Sequence, residues 1–200
     1  MKALVVYSHP CAESFNAAIR DTVVETLQKA GNEVRLTDLY AIDFNPVMDA
    51  RERREYHDEA INERPIKQHI EDLFWCDTLV FVYPTWWFGL PAMLKGWVER
   101  VFIPHRTFRI PTAGESMQGR IQHVRRIAVI TTCGATWWIS KMMGEPGRKT
   151  LLRGIRALCH PRCKTLYLAQ YKMDSSTDEG RKSYLQTVEK RLLKFCVPLV

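Results

Sequence analysis

Several motifs that would define a nucleotide-binding or metal-binding class are missing from this 200-residue sequence. It contains no Gly-x-Gly-x-x-Gly, which argues against a Rossmann nicotinamide site, and no Gly-Lys-Ser/Thr, which excludes a P-loop ATPase. Its six cysteines include no Cys-x-x-Cys pair and no zinc-ribbon spacing. Cys159-His160-Pro161-Arg162-Cys163 could supply half a metal site, but a second pair of ligands is missing nearby. We therefore predict scattered reduced thiols and no metal.

The sequence also has little that would place it in a membrane or direct its secretion. No apolar run approaches the roughly 20 residues that a membrane helix needs. Residues 1–7 are too short and too β-branched for a signal peptide, and no small-residue cleavage site follows. We expect a first strand that starts at once, in a cytoplasmic protein. A 46% hydrophobic content suffices for a core, and the length suits a single domain over residues 1–200.

The formal net charge of +7 raises the question of a nucleic-acid or acidic lipid partner. The basic residues form short runs spread along the chain, at 51–54, 120–126, 148–156 and 190–194. Each run is interleaved with acidic or apolar residues, as on solvated helix faces. This pattern favours a basic rim around an anionic small cofactor over a nucleic-acid partner.

Hydrophobic periodicity alternates between buried strands and helices. Five segments have the composition of strands, and the continuous apolar ones are typical of a parallel sheet that is buried on both faces. The predicted strands are residues 3–7, 33–39, 78–83 (stopped by Pro84), 127–131 and 164–171, and the predicted helices are residues 15–30, 65–75, 91–101, 147–158 and 177–195. We predict a three-layer α/β fold, a doubly wound five-stranded parallel sheet in the flavodoxin-like order 2-1-3-4-5.

Sheets of this kind bind ligands beyond the carboxyl ends of strands 1, 3 and 4, which directs attention to three loops. The first loop, residues 8–16, opens a helix whose unpaired N–H groups can hold a phosphate. Ser14 and Asn16 add side-chain donors, and His9 can donate to a phosphate oxygen. The simpler alternative is that Ser14 only caps the helix.

The second loop carries Trp86, Trp87 and Phe88 at the mouth of the predicted sheet. Such large aromatic side chains are costly to leave in water, so they wall a pocket for a flat ring or pack on a partner. Alternatively, one tryptophan belongs to the core and the other to a dimer interface. Gly89 permits close approach of the backbone to a ligand.

With its following helix, this second loop (residues 87–102) resembles the signature of the flavodoxin-like NAD(P)H:quinone oxidoreductases, in particular their bacterial branch. The first loop resembles that family's phosphate loop. Residues 131–134, Thr-Thr-Cys-Gly, resemble its Thr-Thr-Gly-Gly loop after strand 4. The resemblance implies two-electron, ping-pong hydride transfer from NAD(P)H to a quinone-like, nitro or azo acceptor. The flavin carries this chemistry, so no catalytic residue is assigned.

The resemblance also implies which residues hold the flavin. The first loop would hold its phosphate or pyrophosphate, the second would contact the ring, and the third would reach the pyrimidine side and the ribityl chain. The implied cofactor-binding residues are His9, Ser14, Phe15, Asn16, Pro84, Thr85, Trp86, Trp87, Phe88, Thr131, Thr132, Cys133 and Gly134. The implied substrate-pocket residues are Trp87, Phe108, Trp137 and Trp138.

The same resemblance implies FAD, through Ser14-Phe15-Asn16, with FMN as the close alternative. It further implies a homodimer with the flavin sites at the interface, where the helix that bears Leu94, Trp97 and Val101 would be buried. Mammalian quinone reductases of that family have a tyrosine and a histidine beyond the third loop; Trp138 could occupy the tyrosine's place after a one-residue shift, but no histidine is available. The basic run at 148–156 suits the 2′-phosphate of NADPH or a solvated helix face equally.

Two other function classes fit a flavin-binding chain. One is a flavodoxin-type shuttle of single electrons, although such carriers are generally acidic and this chain carries +7. The other is a flavin-bound regulatory subunit that resembles the ancillary proteins of potassium-efflux systems. Steady oxidation of NADPH with a quinone separates an enzyme from a shuttle, and co-purification with a transporter would support the regulator.

Overall fold

A computed structural model describes residues 1–112 and 114–196. Its strands are β1 (Lys2–Tyr7), β2 (Glu33–Asp38), β3 (Thr78–Thr85), β4 (Phe108–Arg109), β5 (Gln118–Gly119), β6 (Arg126–Cys133) and β7 (Lys164–Gln170). Five of them form one parallel sheet in the order β2-β1-β3-β6-β7, while β4 and β5 pair as a separate antiparallel ribbon. The predicted order 2-1-3-4-5 is confirmed.

Helices follow the main strands in turn. They are α1 (Phe15–Lys29), α2 (Ala50–Glu55), α3 (Lys67–Trp75), α4 (Ala92–Val101), α5 (Trp137–Met142), α6 (Pro146–Lys149) and α7 (Asp178–Phe195). The helical path of α6 continues through a π turn at Thr150–Gly154 and a 3-10 turn at Ile155–Leu158, so the predicted helix over 147–158 is confirmed. The sequence patterns did not predict α2 or α5, each only six residues long.

The central strands β1, β3 and β6 are buried on both faces, because successive strand residues point to opposite sides and helices cover both sides. Val5 packs in one cluster with side chains of α1 and α7, and its neighbour Leu4 packs in the other with side chains of α3, α4 and residues 151–158. This gives the predicted three layers. Within the described residues, no helix combines the length and the apolar character needed to cross a bilayer.

The same packing corrects the surface expected for a dimer. Leu94, Trp97 and Val101 have no solvent exposure within the single chain. They lie in the core cluster formed with α3 and the sheet. Because these side chains already face their own sheet, they offer no surface to a second copy, and an interface must use other residues.

Pro84 was expected to stop the third strand, and that expectation is wrong. β3 continues to Thr85, with Pro84 in register with Thr132 of β6. On the opposite side, β1 has already ended, since its last ladder contact is the bond from the N–H of Ser8 to the carbonyl of Val82. The missing N–H of Pro84 points to this open side, because residues two apart in a strand face the same neighbour, so no ladder bond is lost.

Candidate functional site

A cleft of about 780 Å³ lies at the carboxyl ends of β1, β3 and β6. Its walls come from the three loops singled out in the sequence, together with a fourth segment that follows β7. The lining residues are His9, Ser14, Phe15, Asn16, Pro84, Thr85, Trp86, Trp87, Phe88, Thr132, Cys133, Gly134, Ala135, Met173 and Asp174. Of the thirteen cofactor-binding residues implied by the sequence, all but Thr131 line this cleft.

Thr131 lies beneath the cleft and supports it. It is fully buried, and its Oγ1 forms a 2.9 Å hydrogen bond with Oγ1 of Thr85, which joins the ends of β6 and β3. The hydroxyl of Tyr184 in α7 donates to the carbonyl of Thr131 at 3.3 Å. The side chain of Thr131 therefore fixes one wall of the cleft from below.

The first loop ends at the N-terminus of α1. Ser14 is the N-cap, since its Oγ accepts a hydrogen bond from the N–H of Ala17 at 3.2 Å. The N–H groups of Phe15 and Asn16 have no acceptor within residues 1–112 and 114–196, and both residues line the cleft. Free N–H groups at a helix start favour an anion. Ser14 thus caps the helix and leaves its first N–H groups open toward the cleft.

His9 presents a neutral donor at the same end of the cleft. Its Nδ1 accepts a hydrogen bond from the N–H of Cys11 at 3.0 Å, which places the ring proton on Nε2. Burial lowers the pKa of His9 below its ordinary value, so the ring is neutral at neutral pH. The imidazole lies 6.0 Å from the Trp86 ring, centroid to centroid.

Asn16 connects the first and third loops. Its side chain is 5% exposed, and its Nδ2 donates to Oγ1 of Thr132 at 2.9 Å. Asn16 lines the cleft, and its Oδ1 is buried and has no hydrogen-bond partner among the described residues. Because an unpaired buried carbonyl is unfavourable, this oxygen is an acceptor that a bound donor would satisfy.

The second loop turns sharply at residues 86–89. The N–H of Gly89 donates to the carbonyl of Trp86 at 2.9 Å, and the two central residues, Trp87 and Phe88, have φ values of 46° and 62°. Hairpins with two central residues of positive φ usually use asparagine and glycine there. Two aromatic residues in this conformation carry strain, which native structures concentrate at functional sites.

A fourth segment, after β7, reaches the cleft and was missed by the sequence reasoning. Met173 and Asp174 lie in a 3-10 turn at Met173–Ser175 and line the cleft beside Gly134. A Cβ at Gly134 would lie 2.4 Å from Oδ2 of Asp174, so a larger residue at position 134 would displace the Asp174 carboxylate. The predicted sheet order contained the signal, because it places the loop after β7 next to the loop after β6.

The structure does not bring the implied substrate-pocket residues together. Trp87 lines the cleft and is 96% exposed, whereas Phe108, Trp137 and Trp138 do not line it. Phe108 lies in β4 and packs on the core. Trp137 and Trp138 begin α5, next to Ala135, with their rings perpendicular and 4.7 Å apart. No cluster of three potential metal ligands occurs in the described part of the chain.

Comparison with known proteins places this chain in a family. The family model described as flavodoxin-like fold matches residues 1–192. The chain belongs to this family. Its curated relatives include ribosyldihydronicotinamide dehydrogenase (quinone) from Pongo abelii, 31% identical over 156 residues that make up 70% of this chain and 67% of the relative. NAD(P)H dehydrogenase (quinone) 1 from Rattus norvegicus is 32% identical over 67% of this chain and 54% of the relative.

The fold also matches solved flavodoxin-like structures over nearly their whole length. NAD(P)H:quinone oxidoreductase from Methanothermobacter marburgensis superposes with a TM-score of 0.80 at 25% identity, covering 96% of this chain and 98% of that one. The chain spans about half the length of several curated relatives that it matches, the rat protein among them.

Proposed function

We propose that this chain binds a flavin in the cleft and uses NAD(P)H to reduce quinone-like acceptors, nitro and azo compounds being further candidates. The observation that carries the proposal is the cleft itself, where free N–H donors, an unpaired buried carbonyl and an aromatic wall converge at the carboxyl ends of β1, β3 and β6. The relatives named above, which are quinone reductases, support the same activity.

The residues present fit a flavin nucleotide. The start of α1 and Nε2 of His9 offer donors to a phosphate, at the end of the cleft where Phe15 also lies. Oδ1 of Asn16 accepts a hydrogen bond, as ribityl hydroxyl groups can supply. In the same cleft, the strained turn leaves the N–H groups of Trp87 and Phe88 without an acceptor among the described residues, ready for carbonyl oxygens or ring nitrogens.

A bound flavin supplies hydride transfer, so the chain needs no acid or base of its own for that chemistry. The protein's part is to bind and orient. Trp87, almost fully exposed at the rim, offers an aromatic face to a flat substrate. The hydroxyl of Thr132 and the backbone at Gly134 lie where donors would stabilise negative charge on a ring held against the turn.

We further propose FAD, with FMN as the alternative, and a homodimer. The dimer proposal rests on exposed apolar side chains of the 86–89 turn and of α5: Trp87 is 96%, Trp138 76% and Met142 78% exposed. A surface of this kind is unusual on a soluble monomer. A second copy that covered it would also bring α5 near the cleft of its partner. Sedimentation would measure the association, and chromatography of released cofactor would separate FAD from FMN.

The deciding experiment is an absorbance spectrum of the purified protein, followed by anaerobic addition of NADPH and then of a quinone. We expect flavin absorbance that bleaches with NADPH and returns with the quinone. Absorbance that does not respond to NADPH would contradict the enzyme and point to an electron shuttle or a regulatory subunit. A protein that takes up neither FMN nor FAD would refute the whole proposal.

A further inference from the structure

Glu145 is a buried carboxylate next to the cleft that the proposed function does not use. Its side chain is 9% exposed and has three partners: Nζ of Lys141 at 2.6 Å, Nη1 of Arg148 at 2.8 Å and the hydroxyl of Tyr171 at 2.9 Å. Burial raises the pKa of Glu145, but the bonds from Lys141, Arg148 and Tyr171 outweigh it and hold that pKa below its ordinary value. The charged carboxylate therefore ties α5, α6 and the end of β7 together.

The backbone around Glu145 is strained in the same way as the turn at residues 86–89. Glu145 has a φ of 47°. The described chain has six non-glycine residues with positive φ, and three of them, Trp87, Phe88 and Glu145, lie in these two segments. Left-handed conformations of this kind cost about 1–2 kcal/mol per residue and persist only where surrounding contacts enforce them. The two strained segments lie against each other: Phe88 and Glu145 line one small cavity of about 10 Å³.

The contact between the segments is made by backbone. A Cβ at Gly147, two residues after Glu145, would lie 3.1 Å from the carbonyl carbon of Gly89 and 3.3 Å from the nitrogen of Leu90. The first turn of α6 therefore packs directly on the end of the 86–89 turn. Any shift of α6 at this point would be transmitted to that turn, because Gly147 lies against the backbone of Gly89 and Leu90 as well as against the Leu90 side chain.

We propose that Glu145 is a positioning residue whose carboxylate fixes the start of α6 against residues 86–89 and so holds that turn in its strained, donor-presenting shape. The inference rests on the proposed function only in naming flavin as the group that the turn receives. Glu145 itself does not line the cleft. Its effect on ligand binding is exerted through the turn.

The test compares amide hydrogen exchange at Gly89, whose N–H closes the 86–89 turn onto the carbonyl of Trp86, in the flavin-free full-length wild type and in Glu145→Gln. We expect about tenfold faster exchange in the variant, which corresponds to releasing one left-handed non-glycine residue. Tyr171→Phe removes a single bond and keeps both ion pairs, so it should give a smaller increase in the same segment. Glu25→Gln, which breaks an exposed ion pair on α1, is the matched control and should change nothing there.

The same variants are then titrated with FAD and FMN. Glu145→Gln should weaken flavin binding about tenfold and alter the visible circular dichroism of the bound flavin, which a general loss of stability would not do. Exchange and binding equal to wild type would overturn the proposal, as would faster exchange spread evenly over β1 and β3. If Glu145→Gln does not fold, the Tyr171→Phe variant decides, and wild-type exchange in its 86–89 turn overturns the proposal. A wild type that binds no flavin refutes the proposed function alone, because the exchange result still decides the positioning role.

Discussion

Replacement of Asn16 by alanine separates the structural role of its amide from its ligand-binding role. The substitution removes the 2.9 Å bond to Thr132, worth about 1 kcal/mol. It also removes the buried, unpaired Oδ1, whose burial costs about 1–3 kcal/mol, and alanine gains roughly 0.5 kcal/mol in helix propensity. We therefore expect the free energy of unfolding of the flavin-free protein to be unchanged or raised, by up to about 2.5 kcal/mol.

The effect on flavin binding should have the opposite sign. If Oδ1 of Asn16 accepts a hydrogen bond from the bound flavin, the variant loses a buried bond worth about 1–3 kcal/mol, or about 5- to 150-fold in affinity. Urea unfolding of the flavin-free protein measures the first effect, and fluorescence titration with FAD and FMN measures the second.

Asn32 offers a matched control at the other end of α1. Its Nδ2 donates to the carbonyl of Leu27 at 2.8 Å, far from the cleft. Asn32→Ala should lower the free energy of unfolding by about 1 kcal/mol and leave flavin affinity unchanged. A loss of more than about 2 kcal/mol in flavin-free Asn16→Ala, together with wild-type flavin affinity, would refute the reasoning, because Asn16 would then be purely structural.

Three further substitutions test the local structure. Trp87→Asn should raise the free energy of unfolding in urea by about 1 kcal/mol, because asparagine tolerates positive φ. The rate of quinone reduction should fall. An unchanged free energy of unfolding would show that no strain is stored at Trp87. Gly96→Ala places a Cβ 2.2 Å from the carbonyl oxygen of Pro46 and should lower the free energy of unfolding by about 1–3 kcal/mol. A thermal melt measures this, and a wild-type melting temperature would argue against the close packing. Burial lowers the pKa of His9, so its ring is neutral at neutral and higher pH, and flavin affinity should show no His9-dependent change there. His9→Gln, which keeps a neutral donor, should bind flavin better than His9→Ala, and equal losses in both would contradict a donor role.

The fold was predictable because its central strands, β1, β3 and β6, contain continuous apolar runs. Residues 3–7 and 79–83 alternate between the two core clusters, and a parallel sheet covered on both faces buries every residue of such a run. The errors in predicting strand ends and helices fall where a local sequence rule is overridden by contacts with neighbouring strands, or where an element is very short. Proline ends many strands. At position 84, however, the missing N–H faces the side of β3 where β1 has already ended, so the strand continues. α5 is too short to give a periodic signal.

The sequence by itself determined the sheet order and the three loops that meet in the cleft, because strand burial and helix caps are set by residues close in the chain. It also placed twelve of the thirteen implied cofactor-binding residues on that cleft. Only the tertiary structure assigned Thr131 to the support beneath it, moved Leu94, Trp97 and Val101 from a dimer surface into the core, and brought Asp174 and Glu145 beside the loops. Those assignments depend on contacts between segments distant in the chain, and no local pattern of residues encodes such contacts.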